Sequence, residues 1–344
     1  MIASTANSKS IRPRRLSEGD LIGVVSLSSP LAGKFPRRFE RGIDNIRKLG
    51  FRVRVGGNAC SVTGHTAGTP EQRAMEFNEM VSDPDVRAIV SAIGGYNSSD
   101  VLELIDFDSL NRKPKILLGY SDFTTILLAA YARAGLTTFL GPAVMPQFGE
   151  FDGIDQFTLR CLQSAMCSAK PLGKLPTSNR IIEEFLMWDE MDMRSRKSRP
   201  NRGPRAVIPG AAEGYIVAGN IGTLLGLVGT PWLPPLDGAI LCLEDDEVES
   251  PATVQRMLMH LRHANILARI HALVIGRFPQ NLGFSEGTAL DEILHIVLRN
   301  YNIPVVVDFD FGHTDPMLTL PNGVKARLLA LSEPSLVIDE PAVS

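Results

Sequence analysis

Cysteine, net charge and long apolar runs are all scarce in this chain, and each scarcity removes a class of function. The 344 residues include only four cysteines (Cys60, Cys161, Cys167 and Cys242), scattered without paired metal-ligand spacing. Cys242 falls inside the strand-like GAILCLED, where a thiol reads as buried. Neither a zinc module nor an oxidising compartment is indicated. No apolar run is long enough to span a bilayer, and the leader MIASTANSKSIRPRR is basic and polar without the apolar core of a secretory signal. These features predict a cytoplasmic protein with no membrane partner. Thirty-five Lys and Arg against 38 Asp and Glu leave a net charge of −3 and a pI of about 6.1, so no polyanion is implied as partner. The one basic run, Arg194, Arg196, Lys197, Arg199, Arg202 and Arg205, lacks interleaved aromatics. It reads as a solvated loop and not as a nucleic-acid surface. The chain also has no G-x-G-x-x-G dinucleotide fingerprint.

What is present suggests two domains, because the chain is too long for one ordinary core. The first is organised around KPKILLGYSDFTTILLAAYARAG, residues 113–135. Ile116 to Leu118 read as a buried strand, and Phe123, Ile126, Leu127, Ala130 and Tyr131 follow with helical spacing. Strand, tight turn and helix therefore meet at Ser121. A serine there sits at the carboxyl end of a strand and at the positive end of a helix, where backbone N–H groups can stabilise an oxyanion. Nucleophile elbows have this geometry, although the usual G-x-S-x-G spelling is absent. The competing reading is that Ser121 or Asp122 merely caps the helix.

Upstream, Leu21 to Leu27 read as a buried strand ending in Ser28-Ser29-Pro30, and Val86 to Ile93 as another ending in Gly94-Gly95-Tyr96-Asn97. Helical patterns lie between them, one of them opened by Thr69-Pro70-Glu71. This alternation predicts a doubly wound, Rossmann-like parallel sheet with ligands at the carboxyl ends of its strands. Gly94-Gly95 falls at such an end. Adjacent glycines let a backbone approach a ligand closely, though they also simply make turns. The pattern predicts an N-terminal α/β domain over residues 1–168. A proline- and arginine-rich stretch over 169–209, carrying Trp188, reads as a linker and substrate-covering loop. From 210 to 344 many short strands with fewer helices predict a mixed, β-rich, barrel-like domain.

A serine nucleophile needs a base, and the base an orienting acid. Six histidines are available. His260 and His263 sit three apart on a helix with no third metal ligand evident, so a metal site is disfavoured. His313 lies in an irregular loop after the strand-like IPVVVDFDF. Among acids Glu244, Asp308 and Asp310 all remain open, and spacing does not show that any of them converges with Ser121 and His313.

The motifs together carry more. SLSSP, AIGGYNS, LLGYSDFT, FLGPAVM, EGYIVAGNIGTLLGLVGTP, ILCLEDDEVESP and FDFGHTDP run in order from about Leu21 to Pro321. In this the chain resembles the LD-carboxypeptidase family of serine peptidases, and within it the microcin C self-immunity branch. The resemblance implies a Ser–His–Glu triad of Ser121, His313 and Glu244 between two domains. It implies backbone oxyanion donors near Gly95 and Asp122, and Asn220, Tyr96 and Asn97 beside the substrate. Trp188 is the counterpart of a tryptophan on a loop over the substrate's nucleotide end. The run Asn201-Arg202-Gly203-Pro204-Arg205 departs from the Pro-Gly-Trp usual near that loop's end.

The activity implied is hydrolysis of an amide in an aminoacyl- or peptidyl-nucleotide, with no metal or organic cofactor and with a homodimer as the family's assembly. A murein LD-carboxypeptidase and a catalytically silent small-molecule binder are the alternatives.

Overall fold

The computed structural model describes residues 10–284 and 288–344. Residues 1–9, the start of the polar leader and of the expected first domain, lie outside these.

The first layer is built from short apolar runs. Strands β1 (Leu21–Val25), β2 (Arg52–Val55), β3 (Val86–Ser91), β4 (Ile116–Gly119) and β5 (Phe139–Leu140) pair in the order 2-1-3-4-5, every pair parallel. Helices α1 (Leu31–Lys34) and α2 (Pro36–Lys48) join β1 to β2, α3 (Pro70–Ser82) joins β2 to β3, and α4 (Phe107–Arg112) precedes β4. Helix α5 (Thr124–Ala134) joins β4 to β5, and α6 (Gln156–Met166) closes the region. The start of α3 follows its sequence signal: Thr69 and Gln72 form a reciprocal capping box, with Pro70 in the first turn. Between β3 and α4 the chain forms a 3₁₀ stretch, Ser98–Leu104. Because β2 lies on one side of β1 and β3 on the other, the loops leaving β1 and β3 diverge. A crevice opens between them at the strands' carboxyl ends.

The second layer also draws strands from the 169–209 segment. Inside 169–209, β6 (Gly173–Lys174) and β9 (Arg205–Ile208) both join the C-terminal sheet, while β7 (Arg180–Ile182) and β8 (Ser198–Pro200) form a separate two-stranded ribbon. The remaining strands are β10 (Gly210–Asn220), β11 (Ile240–Glu244), β12 (Ala272–Gly276), β13 (Val305–Phe309), β15 (Lys325–Ala330) and β16 (Ser335–Ile338), with helices α7 (Ile221–Leu225), α8 (Pro251–His263) and α9 (Thr288–Val297) between them. The sheet order is 6-16-15-10-11-12-13-9. β10 through β13 pair in parallel and the flanking pairs are antiparallel. Among the described residues β6 and β9 stay at opposite edges, so the ladder is an open mixed sheet and the expected barrel does not close. The long strand β10 makes this possible, pairing with β15 over its first half and with β11 over its second.

The two layers are tied at one place that matters for the site. Strand β14 (Leu320–Pro321) returns from the second half of the chain to add antiparallel to β5. Nearby, the Asn220 N–H at the end of β10 donates to Thr124 Oγ1 at the start of α5, at 3.1 Å. The carboxyl ends of β4, β10, β11 and β13 thus carry Ser121, Asn220, Glu244 and the His313 loop.

Candidate active site

Ser121 has a backbone φ of 58°, in the left-handed region that non-glycine residues rarely occupy. Such strain costs about 1–3 kcal/mol and persists where the surroundings enforce it, as at a nucleophile elbow. No side-chain cap bond is made at the start of the 3₁₀ turn Ser121–Phe123 or of α5. The Asp122 carboxylate instead accepts the Ser98 N–H at 2.8 Å. The capping reading of this pair therefore fails. Asp122 holds the Gly95–Ser98 turn against the serine.

That turn is shaped by glycine. Gly95 has φ +148°, and a methyl there would lie 2.4 Å from Ser28 Oγ and 2.8 Å from the Ser29 backbone N. A methyl on Gly94 would lie 2.8 Å from Ser121 Oγ and 3.2 Å from the Asp122 N. The turn's backbone therefore leaves no room for a side chain between itself and Ser121. Ser28 Oγ accepts the Asn97 N–H at 2.9 Å, and buried Arg73 donates to Asn97 O at 2.9 Å. Asn97 is thus fixed through its backbone.

Across the crevice, His313 Nδ1 and Glu244 Oε2 lie 2.6 Å apart. Glu244 is wholly buried at the end of β11. Gly312 has φ +106°, and a methyl there would sit 2.8 Å from Glu244 Oε2, so only glycine lets the histidine loop close on the acid. Burial opposes charge on the His313 ring, but the Glu244 carboxylate, helped by Asp246 and Glu247, outweighs it and pushes the imidazole up to about 9. The competing acids are engaged elsewhere. Asp308 pairs with Arg205 at 3.1 Å, and Asp310 accepts from Ser178 N, Asn201 and Arg277 at 2.8–3.2 Å.

Ser121 and His313 line one cavity of about 500 Å³, together with Gly95, Tyr96, Tyr120, Phe35 and Trp188. Trp188 meets Phe35 edge-on with centroids 5.8 Å apart, and the Arg38 guanidinium lies 5.3 Å from its ring centroid. Trp188 is therefore a loop anchor and a cavity wall at once. A second cavity of about 340 Å³ shares Ser121, Gly95, Tyr96 and Asp246 with the first and extends to Asn220, Asp122, Asp245 and Glu249. Among the described residues, no lysine, arginine or histidine lines it. Burial, then the neighbouring Glu244, pushes the Asp245 carboxyl up to about 7. Asn220 is spoken for structurally: its Oδ1 caps α7 at Thr223 N, 3.0 Å, and its Nδ2 donates to Asp245 at 2.8 Å. Asn97 lines neither cavity.

Sequence reasoning missed Arg38, Tyr120, Gln147, Arg196 and Asp315, all of which line the first cavity. The only signal for them was position. Tyr120 precedes the serine, Asp315 follows the histidine by two, and Gln147 stands two residues after the FLGPAVM motif.

A strained serine between strand and helix, facing the cavity of a buried His–Glu pair on an open α/β scaffold, is the constellation of a serine hydrolase. Comparison with known proteins agrees. Residues 22–141 match the LD-carboxypeptidase N-terminal domain and residues 213–328 the C-terminal domain, so the chain belongs to the LD-carboxypeptidase family of serine-type peptidases. It is 34% identical to the microcin C7 self-immunity protein MccF of Escherichia coli, over 91% of each chain. It is 27% identical to a probable murein peptide carboxypeptidase of Bacillus subtilis, over 92% of this chain and 91% of the other. The solved structure of MccF in complex with aspartyl sulfamoyl adenosine superposes with a TM-score of 0.90 at 33% identity, covering 97% of this chain and all of that one.

Proposed function

We propose that this protein hydrolyses the amide of an aminoacyl- or peptidyl-nucleotide, detoxifying such a compound, with Ser121 as nucleophile, His313 as base and Glu244 as its orienting acid. Ser121 Oγ attacks the carbonyl carbon while its proton passes to His313. Glu244 holds the other ring nitrogen and stabilises the imidazolium. The backbone N–H groups of Gly95 and Asp122 receive the oxyanion. His313 then protonates the departing amine, and a water deprotonated by His313 cleaves the acyl-serine. The chemistry requires neither metal nor organic cofactor.

The observation that carries the nucleotide reading is the aromatic cavity, in which Trp188 and Phe35 share walls with Ser121 and His313. An aromatic wall suits a nucleobase, and a similar protein has been solved with an aminoacyl sulfamoyl adenosine. The reading places the nucleotide there, with Tyr96 and Asn220 toward the aminoacyl end and Asn97 only holding the turn through its backbone. It divides the chain into a doubly wound catalytic domain (1–168), a substrate-covering segment (169–209) and a domain supplying acid and base (210–344). It also includes the homodimer implied by the family resemblance and the cytoplasmic location expected from the sequence. Incubation with aspartyl sulfamoyl adenosine, followed by mass spectrometry, tests the activity: release of aspartate is expected, and an intact compound overturns the nucleotide reading.

The second cavity favours one alternative. Four acids (Asp122, Asp245, Asp246 and Glu249) without a basic residue suit an acyl group that carries an ammonium, as a murein tetrapeptide does on its diamino acid. Faster release of the terminal residue from that peptide than of aspartate from the adenosine compound would favour the murein assignment.

A further inference from the structure

The excursion that covers the first cavity is bonded to the loop that bears the histidine. The backbones of Ile182, at the end of β7, and Asp315 exchange both hydrogen bonds, with Ile182 N–H to Asp315 O at 2.6 Å and Asp315 N–H to Ile182 O at 3.1 Å. From the same ribbon Arg196 reaches down, pairing with the Asp315 carboxylate and, at 3.1 Å, with Glu150. Its side chain is only 17% exposed, so this member of the basic run is not the solvated residue its neighbours suggested. Arg194 and Arg199 do behave that way: both are more than 40% exposed, and they pair with Glu184 and Glu183 on the ribbon itself.

Asp315 is a junction. Its other carboxylate oxygen accepts from Gln147 Nε2 at 3.2 Å, and the same Nε2 lies 3.2 Å from the Tyr120 hydroxyl. Tyr120 immediately precedes Ser121, and its ring packs on His313 with centroids 4.9 Å apart. The covering ribbon, the histidine loop and the residue before the nucleophile are thereby joined in one connected set of contacts.

We propose that Arg196 and Asp315 form a positioning clamp, through which seating of the 180–200 ribbon sets the His313 imidazole against Ser121. The inference rests on the assignment of Ser121 and His313 as nucleophile and base. Arg196 acts through Asp315, and neither residue reacts. Ligand that fills the first cavity contacts the excursion at Phe185 and Trp188, so holding the ribbon down and aligning the base become one event. A displacement of about 1 Å between base and nucleophile can cost roughly 100-fold in rate. Releasing the clamp should therefore slow chemistry more than binding.

A fluorophosphonate probe tests the clamp without knowledge of the natural substrate, since its rate of attachment reports how well the base activates the serine. The parent protein is expected to label, and Ser121→Ala is not. If the parent does not label, the underlying hydrolase assignment fails, and the clamp with it. With the parent labelling, Arg196→Met and Asp315→Asn should each label roughly 10- to 100-fold more slowly. Their double variant should label no more slowly than the worse single, because the two act as one unit. Arg196→Lys, which keeps the charge facing Asp315, should recover part of the rate and covers the case in which the methionine variant does not fold. Arg199→Met, which loosens the same ribbon at its exposed Glu183 pair, should label at the parent rate. Parent-like labelling by folded Arg196→Met, multiplicative losses in the double variant, or an equal loss in Arg199→Met would each overturn the clamp.

Discussion

Glu244 Oε2 lies 2.6 Å from His313 Nδ1, on a carboxylate with no solvent exposure at all. Its second oxygen, Oε1, has no hydrogen-bond partner among the described residues. A buried carboxylate so poorly satisfied is costly unless a positive charge stands beside it. The His313 imidazolium, favoured up to a pKa of about 9, supplies that charge at neutral pH. Removing the acid's charge should therefore hurt catalysis more than folding. Glu244→Gln is expected to lower kcat by roughly 10³- to 10⁴-fold, whereas Ser121→Ala or His313→Ala should cost roughly 10⁴- to 10⁶-fold. Steady-state kinetics on the cleaved substrate, with circular dichroism to confirm folding, measures all three. Near-parent turnover by Ser121→Ala would sink the mechanism.

The same pair makes a prediction about pH. His313 must be neutral to accept the serine proton, and its pKa is raised to about 9, so kcat/KM should still be climbing above neutrality. In Glu244→Gln burial remains without the adjacent carboxylate, and the ascending limb should move to acid, with only Asp246 and Glu247 left to oppose the burial. Stability carries the opposite sign. A folded-state pKa above the unfolded 6.5 means that the pair's contribution is full below that pH and lost as pH rises through about 9. Urea unfolding of parent and Glu244→Gln between pH 6 and pH 10 should converge toward the alkaline end. Coincident limbs in the two pH–rate profiles would show that Glu244 does not govern His313.

How much of this could be read from the sequence differs by residue. Ser121 was legible because its signal is local: an apolar run, a turn and a helical pattern adjoin within one stretch. The acid was not, since Asp308 and Asp310 stand far nearer to His313 in sequence than Glu244 does. Only the family resemblance singled out Glu244. The structure places the rivals on Arg205 and on Arg277 with Ser178, contacts made over long sequence separations. Arg196 was misread for the same reason. A run of arginines looks solvated from its composition, and nothing local reveals that one of them is buried between Glu150 and Asp315. The expected barrel reflects a similar limit, because alternation of short strands specifies pairing but not whether the outermost strands meet.

The turn that faces the nucleophile should tolerate no side chain at Gly95. A methyl there would crowd Ser28 Oγ at 2.4 Å and the Ser29 backbone at 2.8 Å, in a conformation that L side chains rarely adopt. If the Gly95 N–H receives the oxyanion as proposed, Gly95→Ala should move it, with a loss of about 3 kcal/mol in barrier, expressed mainly in kcat. Kinetics that separate kcat from KM give the answer. A rise confined to KM would assign the turn to substrate binding and remove Gly95 from the oxyanion site.

On the proposed reading, Trp188 governs substrate choice. Its ring is packed against Phe35 and Arg38, so truncation removes part of the loop's anchor, yet the same ring lines the cavity that holds Ser121 and His313. Anchoring affects any substrate equally, whereas stacking affects only one with a planar base. Stacking of a base on an aromatic ring is worth about 1–3 kcal/mol by truncation. Trp188→Ala should therefore lower kcat/KM for an aminoacyl sulfamoyl adenosine by roughly 5- to 150-fold, the ratio equivalent to that energy. Cleavage of a murein tetrapeptide, which has no base, should change little. Parallel kinetics on the two compounds make the comparison, and the parent protein's own preference between them sets the reference. Equal losses on both would make Trp188 an anchor alone. Efficient tetrapeptide cleavage by a parent that leaves the adenosine compound intact would transfer the whole assignment to the murein peptide, with the acidic second cavity as the site of its ammonium group.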